Sequence, residues 1–245
     1  MAVIAMTREM GSGGRDVALG VADACDLTLV HHELVEHHVA SRLQMRDSAV
    51  HRYLEGGAGI LERWRVDEKC LARCTAEQIF ELAERGNVII RGWGAAQLLR
   101  GVSHVACVRV CAPMHIRVRR LMERAGLENA SVARKEIKSN DAAHARIVRH
   151  LFKGDWRDPR FYDIVINTER TSIDDAATLV SRLLRLVSFQ ETERSRARLA
   201  TLRARAKKRL SMHGVLDPEE TERLHHEHLK HHEFASTRED RDLLL

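Results

Sequence analysis

The stretch Thr7-Arg8-Glu9-Met10-Gly11-Ser12-Gly13-Gly14-Arg15-Asp16 concentrates the chemistry of this chain. Closely spaced glycines let backbone N–H groups converge on an anion. Ser12 adds a hydroxyl and Arg15 a guanidinium, and both donate well to phosphate oxygens. The group that this set suits is a phosphate, cradled by Gly11, Ser12, Gly13, Gly14 and Arg15 at the start of a helix, whose N-terminus carries partial positive charge. The competing reading is a glycine-rich turn that holds nothing. Compared with the phosphate-loop pattern G-x-x-x-x-G-K-[ST], aligned on Gly14, the chain has Glu9 at the first glycine, Arg15 at the lysine and Asp16 at the hydroxyl. Arginine keeps the charge but not the shape of lysine. Asp16 is either a magnesium ligand, direct or through water, or simply an acid that complements the helix N-terminus.

A loop of this kind needs a strand before it and a helix behind it. Residues 2–6 are apolar and read as a short buried strand, and Val17, Ala18, Val21 and Ala22 form an apolar helical stripe. Further strands are expected at 27–31, 87–91, 104–111 and 162–167. Helices are expected at 14–25, 33–46, 67–85, 114–125, 130–151 and 172–188, the last capped by Thr171 and Asp174. Alternating strands and helices imply an α/β fold with a five-stranded parallel sheet covered on both faces. Ligands then bind at the carboxyl ends of the strands, where the loops 7–14, 91–95 and 168–171 lie.

The 245 residues carry 40 Lys and Arg against 35 Asp and Glu, a net charge of +5 that suits anionic ligands. Aromatic content of 4% argues against single-strand nucleic-acid binding by stacking. The five cysteines are read as buried thiols of a reducing cytoplasm, and Cys70 and Cys74 lack the second pair a zinc site needs. No apolar run is long enough to span a membrane. From about residue 189 the composition turns highly charged, and this extension, 189–245, is expected to form two exposed helices, about 190–212 and 217–233, set apart from the domain 1–188. Its sparse leucines offer a route to a homo-oligomer. The histidines of 225–233 stand at metal-chelating spacing, but a solvated helix explains them as well.

Five segments together resemble the cytidylate kinase-like family, a bacterial branch of the nucleoside monophosphate kinases: Thr7 to Arg15; Val88-Ile89-Ile90-Arg91-Gly92-Trp93-Gly94-Ala95; Val108 to Pro113 with Arg117 to Met122; Asp155-Trp156-Arg157-Asp158-Pro159; and Tyr162-Asp163-Ile164-Val165-Ile166-Asn167-Thr168. The resemblance spans about 1–188. It implies a P-loop kinase fold with an acceptor-binding insertion about 33–85 and a lid about 119–149. It also implies transfer of the γ-phosphoryl of ATP, with Mg²⁺, to CMP, dCMP or a related nucleotide. The donor triphosphate would lie on Gly11 to Asp16, with Asp16 on the metal, and the acceptor near Arg91, Gly92, Trp93 and Gly94. The family's Gly-Arg-Asp segment is Gly92-Trp93-Gly94 here, and its lid Arg-Asp pair is Asn140-Asp141.

Phosphoryl transfer is mainly a matter of alignment and positive charge. Arg117, Arg120 and Arg124 share a face of one expected helix, and Arg134, Lys138, Asp141, Arg146 and Arg149 follow in the lid. The expected catalytic set is Arg15, Arg117, Arg120, Arg149 and Asp141. Two alternatives stand beside the kinase: a nucleotide-binding regulatory module with little catalysis, and a nucleic-acid binder using the Arg-rich segment 194–209, the less favoured partner class.

Overall fold

The computed structural model describes residues 1–30, 32–43, 45–54, 68–92, 94–152 and 154–211. Strands β1 (Val3–Arg8), β2 (Thr28–Val30), β3 (Val88–Arg91), β4 (Val105–Cys111) and β5 (Ile164–Asn167) form one sheet in the order β2-β3-β1-β4-β5. Every pairing is parallel. The strands alternate in the direction their side chains take, as the twofold repeat of a strand requires. Val3, Ala5, Ile90, Val105 and Cys107 join one apolar cluster. Ile4, Met6, Ile89, Ala106, Val108, Val110 and Ile166 join the other. The expected five-stranded parallel α/β fold is therefore present, with apolar packing on both faces of the sheet.

Nine α-helices are placed among the described residues. They are α1 (Gly14–Cys25), α2 (His32–Arg42), α3 (Asp47–Leu54), α4 (Glu68–Arg85), α5 (Ala95–Leu99), α6 (Met114–Ala125), α7 (Ala130–Phe152), α8 (Ile173–Leu183) and α9 (Glu193–Ser211), with a short 3₁₀ turn at Pro159–Phe161 counted separately. The expected helix 33–46 ends at Arg42 as α2, and α3, which the sequence reading did not expect, begins after it at Asp47. The last expected helix of the sheet domain stops at Leu183, and its cap falls one residue later than expected. Ser172 Oγ accepts from Asp175 N at 3.0 Å and donates to Asp175 Oδ2 at 2.7 Å. Ser172 has the extended backbone of an N-cap, φ −64° and ψ 161°.

The helix expected at 190–212 is present as α9, but it is not exposed on all sides. Ser195, Leu199, Ala206 and Leu210 are buried, and the three apolar ones belong to the same cluster as α4. Arg203 forms ion pairs with Glu84, Glu81 and Glu77 of α4. Buried His104 Nδ1 lies 2.7 Å from Ser195 Oγ. The leucines offered for self-association, Leu199 and Leu210, are thus committed to the chain's own core. The expected second tail helix and the histidines of 225–233 lie outside the described residues. Of the cysteines, Cys70, Cys74 and Cys107 are buried as expected, whereas Cys25 and Cys111 are only half-buried. No described helix is long and apolar enough to cross a membrane.

Candidate active site

β1 runs two residues further than the sequence suggests, because Thr7 and Arg8 continue the pairing with Arg109 and Val110 of β4. The glycine loop therefore begins at Glu9, at the carboxyl end of the central strand. Gly11 and Gly13 both adopt φ +77°, a left-handed conformation that favours glycine. A Cβ at Gly11 would meet the Arg117 carbonyl oxygen at 2.5 Å, so the loop also passes too close to α6 for any side chain.

The loop's carbonyls are largely taken. Ser12 N donates to Glu9 O at 3.0 Å and Val17 N to Gly13 O at 3.0 Å. Arg117 Nε donates to Met10 O at 2.7 Å. Ser12 O accepts from Thr168 Oγ1 at 2.6 Å and from Arg120 Nη1 at 3.2 Å. The N–H groups of Gly11, Gly13 and Gly14, in contrast, donate to no protein acceptor among the described residues. Such a loop presents donors and withholds acceptors, which is the arrangement an anion requires.

The expected site residues fall into three groups. The first is the buried pair Arg117 and Asp141. Arg117 Nη1 and Nη2 reach the two Asp141 oxygens at 2.9 and 2.6 Å. The Arg117 side chain is 4% exposed. With Nε on Met10 O as well, its donors are directed at protein, so Arg117 ties α7 to the loop instead of pointing at a ligand. The second group is the loop margin. Arg120 Nη1 donates to Thr168 Oγ1 and Nη2 to Thr168 O, both at 2.9 Å. This joins the glycine loop to the segment after β5. Asp16 accepts from Arg124 Nη2 at 2.8 and 3.2 Å, so the expected magnesium ligand is engaged by a cation, while half-exposed Arg15 heads α1 beside it. The third group lines a cavity of about 340 Å³. Lys138, Asp141 and Arg149 of α7, Met114 at the start of α6, and Asp155, Trp156 and Arg157 all contribute to it.

Arg91 ends β3, in register with Met6 of β1. Gly92 N donates to Met6 O at 2.9 Å, which sets the segment 91–95 next to the glycine loop. Gly94 has φ +73° and packs against Phe152. Trp93 lies outside the described residues.

Sequence reasoning singled out neither Glu9 nor Arg109 as a partner of the other, and assigned no role to Trp156, Arg157 or Thr168. Arg109 lies over the Trp156 ring at 5.3 Å and Arg157 at 5.6 Å. Trp156 is 1% exposed, and its Nε1 has no acceptor among the described residues. Tyr162 Oη donates to Trp156 O at 2.6 Å. Burial pushes the Tyr162 phenol above its ordinary pKa, which keeps that donor protonated. Burial likewise raises the Cys111 thiol at the end of β4, with the Glu9 charge adding to the effect. The signal for these residues was present in the motif Asp155 to Pro159, but their contacts are long-range. Among the described residues no group of three or more His, Cys, Asp or Glu is arranged to hold a metal.

The profile of the cytidylate kinase-like family matches residues 3–170. A cytidylate kinase of Pyrobaculum aerophilum is 27% identical over 179 residues, covering 73% of this chain and 90% of that relative. The cytidylate kinase of Pyrobaculum islandicum is 27% identical over 176 residues, 72% of this chain and 89% of the relative. A solved structure of an uncharacterized protein from Eubacterium ventriosum superposes with a TM-score of 0.59 at 22% identity, covering 75% of this chain and 98% of that one. α8 and α9 both lie wholly beyond the matched profile. The sheet, its glycine loop and the profile match agree, and the chain belongs to the cytidylate kinase-like family.

Proposed function

We propose that the chain is an ATP-dependent nucleoside monophosphate kinase that phosphorylates CMP, dCMP or a related nucleotide. The observation that carries this reading is the glycine loop, whose carbonyls are bound by protein while the N–H groups of Gly11, Gly13 and Gly14 are left to an external anion. A triphosphate suits that loop, with Arg15 and the Ser12 hydroxyl flanking it. Ser12 Oγ is at present a donor to Val110 O at 3.2 Å and would have to turn. The family relatives named cytidylate kinase support the acceptor class.

The chain's own residues divide the work. Arg120 and Thr168 fix the carbonyl side of the loop, and Arg117 with Asp141 fixes α7 against it. Lys138, Arg149 and Arg157 bring three cations to the cavity beside the loop, where negative charge on a transferring phosphoryl would gather. Trp156 adds a buried N–H donor at the cavity wall. Arg91, Gly92 and Gly94 stand one strand away, on the side proposed for the acceptor. Asp16 is the residue that would hold Mg²⁺ near the triphosphate, after parting from exposed Arg124, and the ion would neutralise phosphate charge there.

The regulatory alternative draws on the same facts: Asp16 is paired, and Arg117 is withheld from ligand. The experiment that separates the two is a coupled assay of ADP formation by the full chain with each common nucleoside monophosphate, with and without Mg²⁺. Turnover of CMP or dCMP that falls at least about tenfold in Arg149→Ala is the expected result. ATP binding without turnover of any monophosphate would give the decision to the regulatory reading.

A further inference from the structure

A phosphate loop that opens with a carboxylate has an electrostatic problem. Glu9 occupies the position of the first glycine in the standard pattern, and an anion there repels a triphosphate. The carboxylate is 8% exposed, so water does little to screen it. Oε1 accepts from Arg109 Nη2 at 2.7 Å. Oε2 accepts from Ala112 N at 3.3 Å and lies 3.5 Å from Arg117 Nη1.

These contacts belong to a closed circuit. Arg117 pairs with Asp141, and Asp141 Oδ2 lies 3.8 Å from Arg157 Nη2. The Arg157 carbonyl accepts from Arg109 Nη1 at 3.1 Å, and both arginines lie over the Trp156 ring. Arg109 then returns to Glu9. The circuit thus holds three cations, Arg109, Arg117 and Arg157, against two anions, Glu9 and Asp141. It stitches the glycine loop, β4, α6, α7 and the turn after α7 together, and Asp141, Trp156 and Arg157 also line the cavity.

We infer that Arg109 is the residue that keeps the loop fit for an anion: it cancels the Glu9 charge, and Glu9 in turn holds Arg109 beside the loop. Arg109 is itself 8% exposed and sits behind the loop on β4, so its part is positioning and charge balance, not contact with substrate. A loop with Gly at this position needs no such partner. In this chain the acid and the arginine form one unit, and neither is explained without the other. The inference rests on the proposal that the loop binds a nucleoside triphosphate.

A charge-balance role and a merely structural role predict different outcomes for the pair of substitutions. ATP affinity is measured by calorimetry at fixed salt on full-length wild type, Arg109→Met, Glu9→Gln and the double variant, with thermal melts to establish folding. Exposing the Glu9 charge in Arg109→Met is expected to weaken ATP binding at least about tenfold. Removing that charge in Glu9→Gln leaves affinity equal to wild type or tighter, because the circuit gains net positive charge. The double variant regains affinity to within about threefold of wild type. The inference is overturned if Glu9→Gln weakens binding as much as Arg109→Met does, or if the double variant is no better than Arg109→Met. Should Arg109→Met fail to fold, Glu9→Gln decides alone, because a structural carboxylate loses affinity on neutralisation and a balanced one does not. A wild-type chain that binds no ATP refutes the triphosphate reading as well. Wild-type binding with an uncoupled cycle refutes only this inference.

Discussion

Leu199→Ala tests whether α9 is part of the folded core. Leu199 is 1% exposed and sits in the cluster that also holds Leu71, Ile79, Leu82 and Leu99. Truncation removes the transfer free energy of the buried side-chain carbons and leaves a void that close-packed neighbours fill only in part. The two terms together come to about 3–5 kcal/mol for a fully buried leucine. That is a large share of the roughly 5–15 kcal/mol by which domains are stable. In a chain of this size each kcal/mol moves the melting temperature by about 2–4 °C, so a fall of about 6–20 °C is expected. The assay is urea and thermal unfolding followed by circular dichroism, with Arg198→Ala on the exposed side of α9 as control, expected within about 0.5 kcal/mol of wild type. A single cooperative transition that shifts as a whole means that α9 melts with the sheet. A Leu199→Ala loss below about 1 kcal/mol, or a separate early transition for α9 in the wild type, would refute the packing argument. Ending the chain before Glu193 would strip α4 of this cover and of the Arg203 ion pairs, and is expected to destabilise it further.

Two further outcomes follow from local geometry. Gly11→Ala should fold but lose ATP affinity by at least about tenfold in calorimetry, because the left-handed backbone and the nearby Arg117 carbonyl force the loop to move; unchanged affinity would show that the loop tolerates displacement. His104 is buried, and burial holds its pKa below the ordinary 6.5. The unfolded chain therefore takes up a proton that the folded chain refuses, so the neutral ring's contribution is intact above pH 6.5 and is lost as pH falls below it. The slope attains at most about 1.4 kcal/mol per pH unit. His104→Asn should flatten the fall in urea midpoint between pH 7.5 and 5.5, and identical slopes in both proteins would remove His104 as the cause.

What the sequence made legible was local. The strand before the loop, the glycines and the helix behind them are neighbours in the chain, and their periodicity and turn chemistry suffice to place them. Alternation of apolar strands with helices likewise leads to the parallel sheet, because few other arrangements bury both faces of such strands. What escaped was whatever depends on partners distant in sequence. Glu9 and Arg109 are separated by 100 residues, and a single sequence records their charges without recording that they meet. Arg117 and Asp141 were visible as charges beside a phosphate loop, and ligand contact was the natural reading, yet they satisfy each other. The burial of α9, a helix the sequence did place, was hidden for a different reason. Its inward positions Ser195, Leu199, Leu202, Ala206 and Leu210 do keep a helical spacing, but two of the five are small and the intervening residues are dominated by arginine and lysine, so the stripe is drowned in the average. One of those cations, Arg203, faces the acids of α4 and helps to bury the helix, so part of the charge that suggested exposure is what attaches it. Charge in a sequence thus predicts solvent only until its partner is known, and in this chain the same rule governs the loop, α7 and α9.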